Sequence, residues 1–413
     1  MEALLTFGVR CVALVSHIAW LGKKTPFCGN VTYSLSTTSA LRHRGHEISF
    51  IHFDTPTTSI GRAETAPMMQ AEEGAGTADE HLNPEVALPY LVKSQFYTIP
   101  SPGALRELRE SLERLKPDLV HASLTLSPLD FRLPELCQQL GIPLVATFHP
   151  PFDAALRNLT AGTQQLTYQL YAPSLGRCDR VIVFSDRQAD LLERLGVRRE
   201  RLAVIPNGVD TSIWTPPGPR ASAELVGVRQ RFAGHRVFLY MGRLATEKNV
   251  EALLRAWRLV RPSGCVLVIV GDGPLRNALS HGGESDIIWW GYEPRHEIRV
   301  ALLQLAEVFL LPSLVEGLSL ALLEAMACGT ACVATDAGAD GEVLEGGAGM
   351  VISTQGVTTQ LRALLPVLKD QPVLSAELGR RARERVLERY TLTQNIDDLE
   401  RLYGQLIQRP VSV

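Results

Sequence analysis

Pro312-Ser-Leu-Val-Glu316-Gly-Leu-Ser319-Leu-Ala-Leu-Leu-Glu324 is the stretch whose reading decides the fold. Val308–Leu311, just before it, is a short apolar run of strand type, and Ala321–Cys328 is rich in helix formers. The spacing predicts a strand, a turn carrying Glu316 and a helix carrying Glu324, with Gly317, Leu318 and Ser319 at the helix start. A helix N-terminus offers unpaired N–H groups and partial positive charge, so a phosphate can sit there. A carboxylate in the turn can accept hydrogen bonds from hydroxyls nearby. Phosphate at the amides and hydroxyls at the acids suit a nucleotide-sugar. Two acids at this separation are also common on solvated turns, so the pair alone leaves both readings open.

Working outward, Phe238–Gly242 reads as a buried strand that runs into Arg243-Leu-Ala-Thr-Glu-Lys248-Asn249. A strand end and a helix start here carry two cations. Arginine grips phosphate oxygens bidentately, and lysine acts as a point charge. Val266–Val270 is another strand, ending in Gly271-Asp-Gly273-Pro274. Its glycines permit close backbone approach, expected here to be toward a ligand, and proline fits the first turn of a helix. Ile205-Pro-Asn-Gly-Val-Asp210 precedes all of these as a turn leaving a strand.

The ordered set Ile205–Asp210, Gly242–Asn249, Val270–Leu275, Trp290–Gly291 and Leu311–Gly329 resembles the family-4 retaining glycosyltransferases. Those are enzymes of the GT-B fold: α/β, with two doubly wound, Rossmann-like parallel-sheet domains facing a cleft. The resemblance is strong over 200–390 and weaker over 9–200. It implies that Glu316 is the acid near the donor sugar and Glu324 the acceptor of ribose hydroxyl hydrogen bonds. Arg243 and Lys248 become the diphosphate clamp, and Gly317, Leu318 and Ser319 the turn whose amides meet sugar and phosphate. Gly291 and Tyr292 match the backbone stretch facing the nucleobase. The donor, expected to be a UDP-sugar, is a co-substrate; with two fixed cations and a helix start, no divalent metal is expected.

Composition agrees with an enzyme of that size. A chain of 413 residues with 46% hydrophobic content predicts two cores, and the net charge of −3 argues against a general nucleic-acid binder. No apolar run reaches the roughly 18–20 residues of a membrane span. Met1–Val15 lacks the charged start and cleavage site of a signal peptide. The seven cysteines are scattered, and Cys11, Cys137, Cys265 and Cys332 lie in apolar surroundings. They read as reduced thiols of a cytoplasmic chain.

The expected domains are 1–206, for the acceptor, and 207–390, for the donor. Pro216, Pro217 and Pro219 punctuate the linker. In the first domain, strands are predicted at Val9–Val15, Glu47–Phe53, Asp118–Ala122, Pro143–His149, Val181–Ser185 and Leu202–Pro206, with helices at Val31–Arg44 and Ala104–Lys116. Residues 54–89 read as a flexible insertion. The segment 391–413 has helical spacing at Ile396, Leu399, Leu402 and Leu406. In the GT-B fold such a tail crosses back onto the first domain; the spacing fits a helix on its own domain equally.

Two first-domain sites resemble the family with departures. The loop that usually pairs glycines reads Phe27-Cys-Gly29-Asn30, so only Gly29 remains to approach the diphosphate. Thr147-Phe-His149 ends a strand, where ligands of open α/β sheets collect, and His149 resembles the family histidine that contacts the donor sugar at the reaction centre. For the acceptor, Lys23, Lys24, Arg42, His43 and Arg44 with the stretch Tyr168–Tyr171 fit peripheral contact with an anionic membrane and a lipid acceptor. A solvated face and a small-molecule acceptor fit them too. The Thr147–Thr167 region resembles cyanobacterial members, among which a digalactosyldiacylglycerol synthase is one candidate.

Three rivals stay beside this reading. A nicotinamide dehydrogenase needs a third glycine where Arg276 stands after Gly271-Asp-Gly273. A sugar phosphorylase of the same fold would put free phosphate at the same clamp. A non-catalytic scaffold would have no need to keep Arg243, Lys248, Glu316 and Glu324.

Overall fold

The computed structural model describes residues 15–24, 29–54, 84–94, 97–124, 126–149, 160–280 and 282–407, and the side chains of these except 160–165. The chain forms two parallel sheets, each built where a short Val/Ile/Leu-rich run is buried on both faces. In the first half the strands are β1 His17–Leu21, β2 Glu47–Phe53 and β3 Glu85–Leu88, then a small antiparallel pair, β4 Tyr90–Lys93 and β5 Thr98–Pro100. The half is completed by β6 Leu119–Ser123, β7 Leu144–Thr147, β8 Arg180–Val183 and β9 Leu202–Val204. In the second half follow β10 Arg236–Met241, β11 Cys265–Val270, β12 Ile287–Gly291, β13 Val308–Leu311, β14 Ala331–Thr335 and β15 Met350–Ile352.

The spatial orders are β3-β2-β1-β6-β7-β8-β9 and β12-β11-β10-β13-β14-β15. Both sheets are doubly wound, and each reverses direction once: between β1 and β6 in the first, between β10 and β13 in the second. At such a reversal the connections leave toward opposite faces and open a crevice at the carboxyl ends of the strands. The loops after β10 and β13 carry Arg243, Lys248 and Glu316, so topology alone delivers them to one place.

Two chain crossings join the halves. Val209 N–H donates to Tyr390 O and Leu392 N–H to Val209 O, both at 2.9 Å. The helix Leu392–Ile407 then returns to the first half, where Ile396, Leu399, Leu402, Tyr403 and Leu406 are buried in one cluster with Ile18, Trp20, Ile48 and Phe50. Tyr403 Oη meets Nδ1 of the fully buried His121 at 2.5 Å.

Several expectations for the first half are corrected. The first described strand is His17–Leu21, and Val15 is exposed; 9–14 lie outside the described residues. The expected insertion is not all loop, because Glu85–Leu88 pairs in parallel with β2, Val86 and Leu88 facing the core. Residues 55–83 lie outside the described residues, as do Cys11, Phe27, Cys28 and the 150–159 part of the Thr147–Thr167 region. The cations do not make a common exposed face: Lys23 is buried, Lys24 pairs with Glu85, and Arg44 pairs with Asp397 and Glu400. Tyr168 and Tyr171 turn into the core against Phe148, leaving Leu166 and Leu170 outside.

Candidate active site

A cavity of about 360 Å³ lies between the two halves at the ends of β10 and β13. The second half contributes Arg243, Lys248, Glu316, Glu324 and the turn Gly317–Ser319; the first half contributes Gly29 and Thr32 from the start of the helix Gly29–His43. Among the described residues no cluster of His, Cys, Asp or Glu is arranged to hold a metal ion.

The two cations arrive already matched. Arg243 pairs with Glu247 four residues on, and Lys248 pairs with Glu316 across the loop. Ser313 Oγ donates to the same Glu316 oxygen at 2.7 Å. Both carboxylates are nearly buried, with 6% and 10% of their side chains exposed. Breaking such a pair leaves an uncompensated charge in a poorly hydrated place. The lysine is brought there by the short helical turn Thr246–Lys248, which Asn249 closes at a φ of 50° before the helix Val250–Val260 begins.

Ser319 caps the helix Leu320–Ala327, its Oγ accepting from Leu322 N–H. The resemblance implies that its own N–H meets a phosphate; in the fold that N–H instead donates at 2.8 Å to Oδ1 of the fully buried Asp340. Ala339 N–H donates to Gly317 O, and Asn207 Nδ2 of the linker donates to Leu318 O at 3.0 Å. The turn is thus clamped from both sides. Burial, with Glu316 nearby, pushes the Asp340 carboxyl well above its ordinary range, and its Oδ2 has no partner. Glu324 is buried too, and its carboxyl is pushed up to about 7, with Arg299 pulling against the burial.

His149 does not line the cavity. It follows β7, half-buried, and is tied to the cavity's rim by a hydrogen-bond chain. Asn30 Nδ2 donates to Leu124 O, which turns its Oδ1 to accept the Ser123 hydroxyl at 2.8 Å. That hydroxyl has no second proton, so His149 Nε2–H donates to it at 3.0 Å and Nδ1 keeps the lone pair. Burial, and then the Lys23 charge, push the imidazole down to about 3, so the ring is neutral. The rings of Tyr33 and Phe184 pack on it at 5.1 Å.

Gly291 and Tyr292 also lie off this cavity, at the end of β12, where Gly271 N–H donates to Gly291 O at 2.7 Å and Tyr292 is exposed. The glycines of Gly271-Asp-Gly273 serve the protein's own backbone. A Cβ on Gly271 would stand 2.0 Å from Gly242 O, and one on Gly273 would stand 2.4 Å from Leu244 O. At φ of 131° and 159° they let the β11 loop press against the loop that carries Arg243.

Asn207, Glu247, Arg299 and Asp340 around the cavity, and Asn30 and Ser123 beside His149, were not singled out from sequence. Asn207 and Glu247 fall inside the segments Ile205–Asp210 and Gly242–Asn249, so those motifs held a signal for them. Asp340 and Arg299 act across 21 and 25 positions of sequence, on Ser319 and Glu324, and no local pattern marks them.

Comparison with known proteins adds to this geometry. Residues 224–385 match the family described as Glycosyl transferases group 1, and residues 29–213 match Glycosyltransferase Family 4. The MMP alpha-(1->4)-mannosyltransferase of Mycolicibacterium hassiacum is 30% identical over 66% of this chain and 67% of the relative. The UDP-Gal:alpha-D-GlcNAc-diphosphoundecaprenol alpha-1,3-galactosyltransferase of Escherichia coli is 25% identical over 74% of this chain and 79% of its own. Anabaena HepE, solved with UDP and glucose, superposes at a TM-score of 0.70 and 18% identity over 94% of this chain and 99% of that one. With both halves matched in order and the two doubly wound sheets meeting at the cavity, the chain belongs to the Family 4-type glycosyltransferases of the GT-B fold.

Proposed function

We propose that this glycosyltransferase moves a sugar from a UDP-sugar to an acceptor hydroxyl with retention at the anomeric carbon. One observation carries the reading: a single cavity sets Arg243, Lys248, Glu316 and Glu324 of the second half against Gly29 of the first. As the diphosphate departs, charge builds on its oxygens, and Arg243 and Lys248 stabilise it there. Lys248 exchanges Glu316 for phosphate, which frees Glu316 to accept from the sugar's hydroxyls. The acceptor oxygen attacks on the face from which the diphosphate leaves, and its proton passes to the departing phosphate oxygen. Glu316 therefore acts by positioning, not as a covalent nucleophile, and the neutral His149 bears on the reaction centre from behind the rim, through Ser123 and Asn30. Glu324 takes the ribose hydroxyls, Gly291 and Tyr292 the nucleobase, and no divalent metal has a part.

The UDP assignment is supported by the donor in the name of the E. coli relative and by the UDP bound to HepE. A thermal-shift screen of UDP-, GDP- and ADP-sugars tests it. The right donor at about 100 times its dissociation constant adds roughly 2.7 kcal/mol. Stabilisation by UDP-sugars is expected; no response to any of the three overturns the reading. Turnover that needs free phosphate would make the enzyme a phosphorylase.

For the acceptor, a lipid is favoured by a surface other than the expected cationic one. Leu91 (65% exposed), Val92 (44%), Tyr97 (42%) and Ile99 (38%) stand out from the β4–β5 pair. Leu91 is the extra residue where the register shifts between Tyr90 and Val92, and it adds to a cluster of exposed apolar side chains on this ribbon, as suits partial immersion in a bilayer surface. The E. coli relative's name carries a lipid-linked acceptor, diphosphoundecaprenol. Digalactosyldiacylglycerol synthesis stays one candidate within this class. Wild-type protein should float with lipid vesicles, and Leu91→Asp with Val92→Asp should abolish flotation without lowering Tm. A wild type that ignores vesicles of every composition leaves a soluble acceptor as the account.

A further inference from the structure

Arg243 and Lys248 enter the cavity with carboxylates of their own, but two other charged side chains there do not. Among the described residues, neither Glu324 nor Arg299 has a side-chain hydrogen bond or ion pair, and Arg299 Nε is buried without a partner. Arg299 projects from the helix His296–Leu305 and is held over the Trp214 ring, 5.4 Å from its centroid. A buried carboxyl with no partner reverts to its neutral form unless a cation faces it. Once protonated, one of its two oxygens turns from acceptor into donor.

We propose that Arg299, lining the same cavity as Glu324 with its Nε unpartnered, is a positioning residue of the donor site whose charge favours the carboxylate form of Glu324 that accepts two nucleoside hydroxyls. The ligand's identity rests on the donor reading above. Burial alone drives Glu324 upward, and Arg299 is the group that acts against it. The other charged neighbours are accounted for. Arg243, Glu247, Lys248 and Glu316 form two closed pairs in the same cavity. In the adjoining cavity Arg44 is held by Asp397 and Glu400, while His43 and Asp210 line it with Glu324. Cys328 follows one turn along the helix of Glu324, and burial holds it as a neutral thiol.

The test measures UDP affinity by calorimetry from about pH 5.5 to pH 9, beside a ¹³C titration of the Glu324 carboxyl in the free protein, assigned with Glu324→Gln. Wild-type affinity should fall as pH drops through about 7. Arg299→Leu should move that fall to higher pH, about 10-fold weaker at pH 7 and close to wild type at pH 9, and Arg299→Lys should restore it. Glu324→Gln should bind without this pH dependence, and His43→Gln should leave the midpoint in place. An unmoved carboxyl midpoint in Arg299→Leu, an affinity loss equal at every pH, or a midpoint that follows His43→Gln overturns the proposal. A wild type that binds no UDP defeats the UDP reading instead, and the carboxyl titration still decides what Arg299 does.

Discussion

The two walls of the cleft share a topology and differ in electrostatics. Each wall is the reversal point of a parallel sheet, β10/β13 on one side and β1/β6 on the other. The second-half wall is crowded with charge, Arg243 with Glu247 and Lys248 with Glu316, above the buried acid Asp340 that accepts from Ser319 N–H. The first-half wall is held mainly by hydrogen bonds, with Asn30, Ser123 and His149 joined in a chain, aromatic rings behind them and the buried Lys23 as the charge near His149. One architecture thus makes a wall suited to a diphosphate and a wall suited to hydroxyls. Storing counter-charges beside the cations keeps them oriented before a ligand arrives, and the ligand must displace them.

The largest effect should come from removing a cation. Lys248→Ala is expected to lower turnover at saturating donor by about 10²–10³-fold, the usual scale for one transition-state contact in a dry site. It also strips Glu316 of its partner, so Lys248→Met and a Tm measurement should accompany it. Near-normal turnover in both variants would break the contrast between the walls.

A smaller effect should separate the glutamates on the charged wall. Glu316→Gln should depress kcat by about 10-fold or more with little change in donor affinity, and Glu324→Gln should do the reverse, since an amide offers fewer acceptor sites than a carboxylate. Identical kinetic profiles would erase the distinction between the turn acid and the helix acid.

On the first-half wall the effects should be milder. Ser123→Ala removes the group that fixes His149's tautomer and is expected to cost about 10-fold in kcat. Asn30→Asp keeps the shape while adding charge, so it should lower activity without lowering Tm. A silent Ser123→Ala would mean that the chain through Asn30 has no bearing on the reaction.

The smallest effect concerns stability. Asp340 has a folded-state pKa above its unfolded one, so the folded protein binds a proton that the unfolded chain releases. Its contribution is present in full below the unfolded pKa and is lost as pH rises through the folded one. Asp340→Asn keeps an oxygen for Ser319 N–H and removes the titration. Its Tm should match wild type in acid and exceed it in alkali; a Tm gain constant with pH would contradict the buried-acid account.

How much of this was legible in the sequence differs between the halves for a physical reason. Buried parallel strands are continuous apolar runs, so Glu47–Phe53, Val308–Leu311 and the cores of β10 and β11 stand out, and a strand–turn–helix locates its own N-cap at Ser319. The short edge strand Glu85–Leu88 does not stand out, because half of its residues face solvent. Exposure of Lys23, Lys24, Arg42 and Arg44 was equally out of reach. Charged residues are exposed by default, and only the facing elements supply Glu85, Asp397 and Glu400.

By itself the sequence determined the alternation of strands and helices and the loops that carry Arg243, Lys248, Glu316 and Glu324, since each depends on residues within a few positions of one another; the roles expected of those four came from the family resemblance, and the fold brings them to one cavity. Tertiary structure alone decided which of those groups are already paired. It also decided that Asp340 takes the Ser319 amide, that Gly271 and Gly273 accommodate backbone in place of a ligand, and that Arg299 lines the same cavity as Glu324. These are contacts between segments tens of residues apart, and electrostatic energy depends on distance and burial that no local pattern encodes.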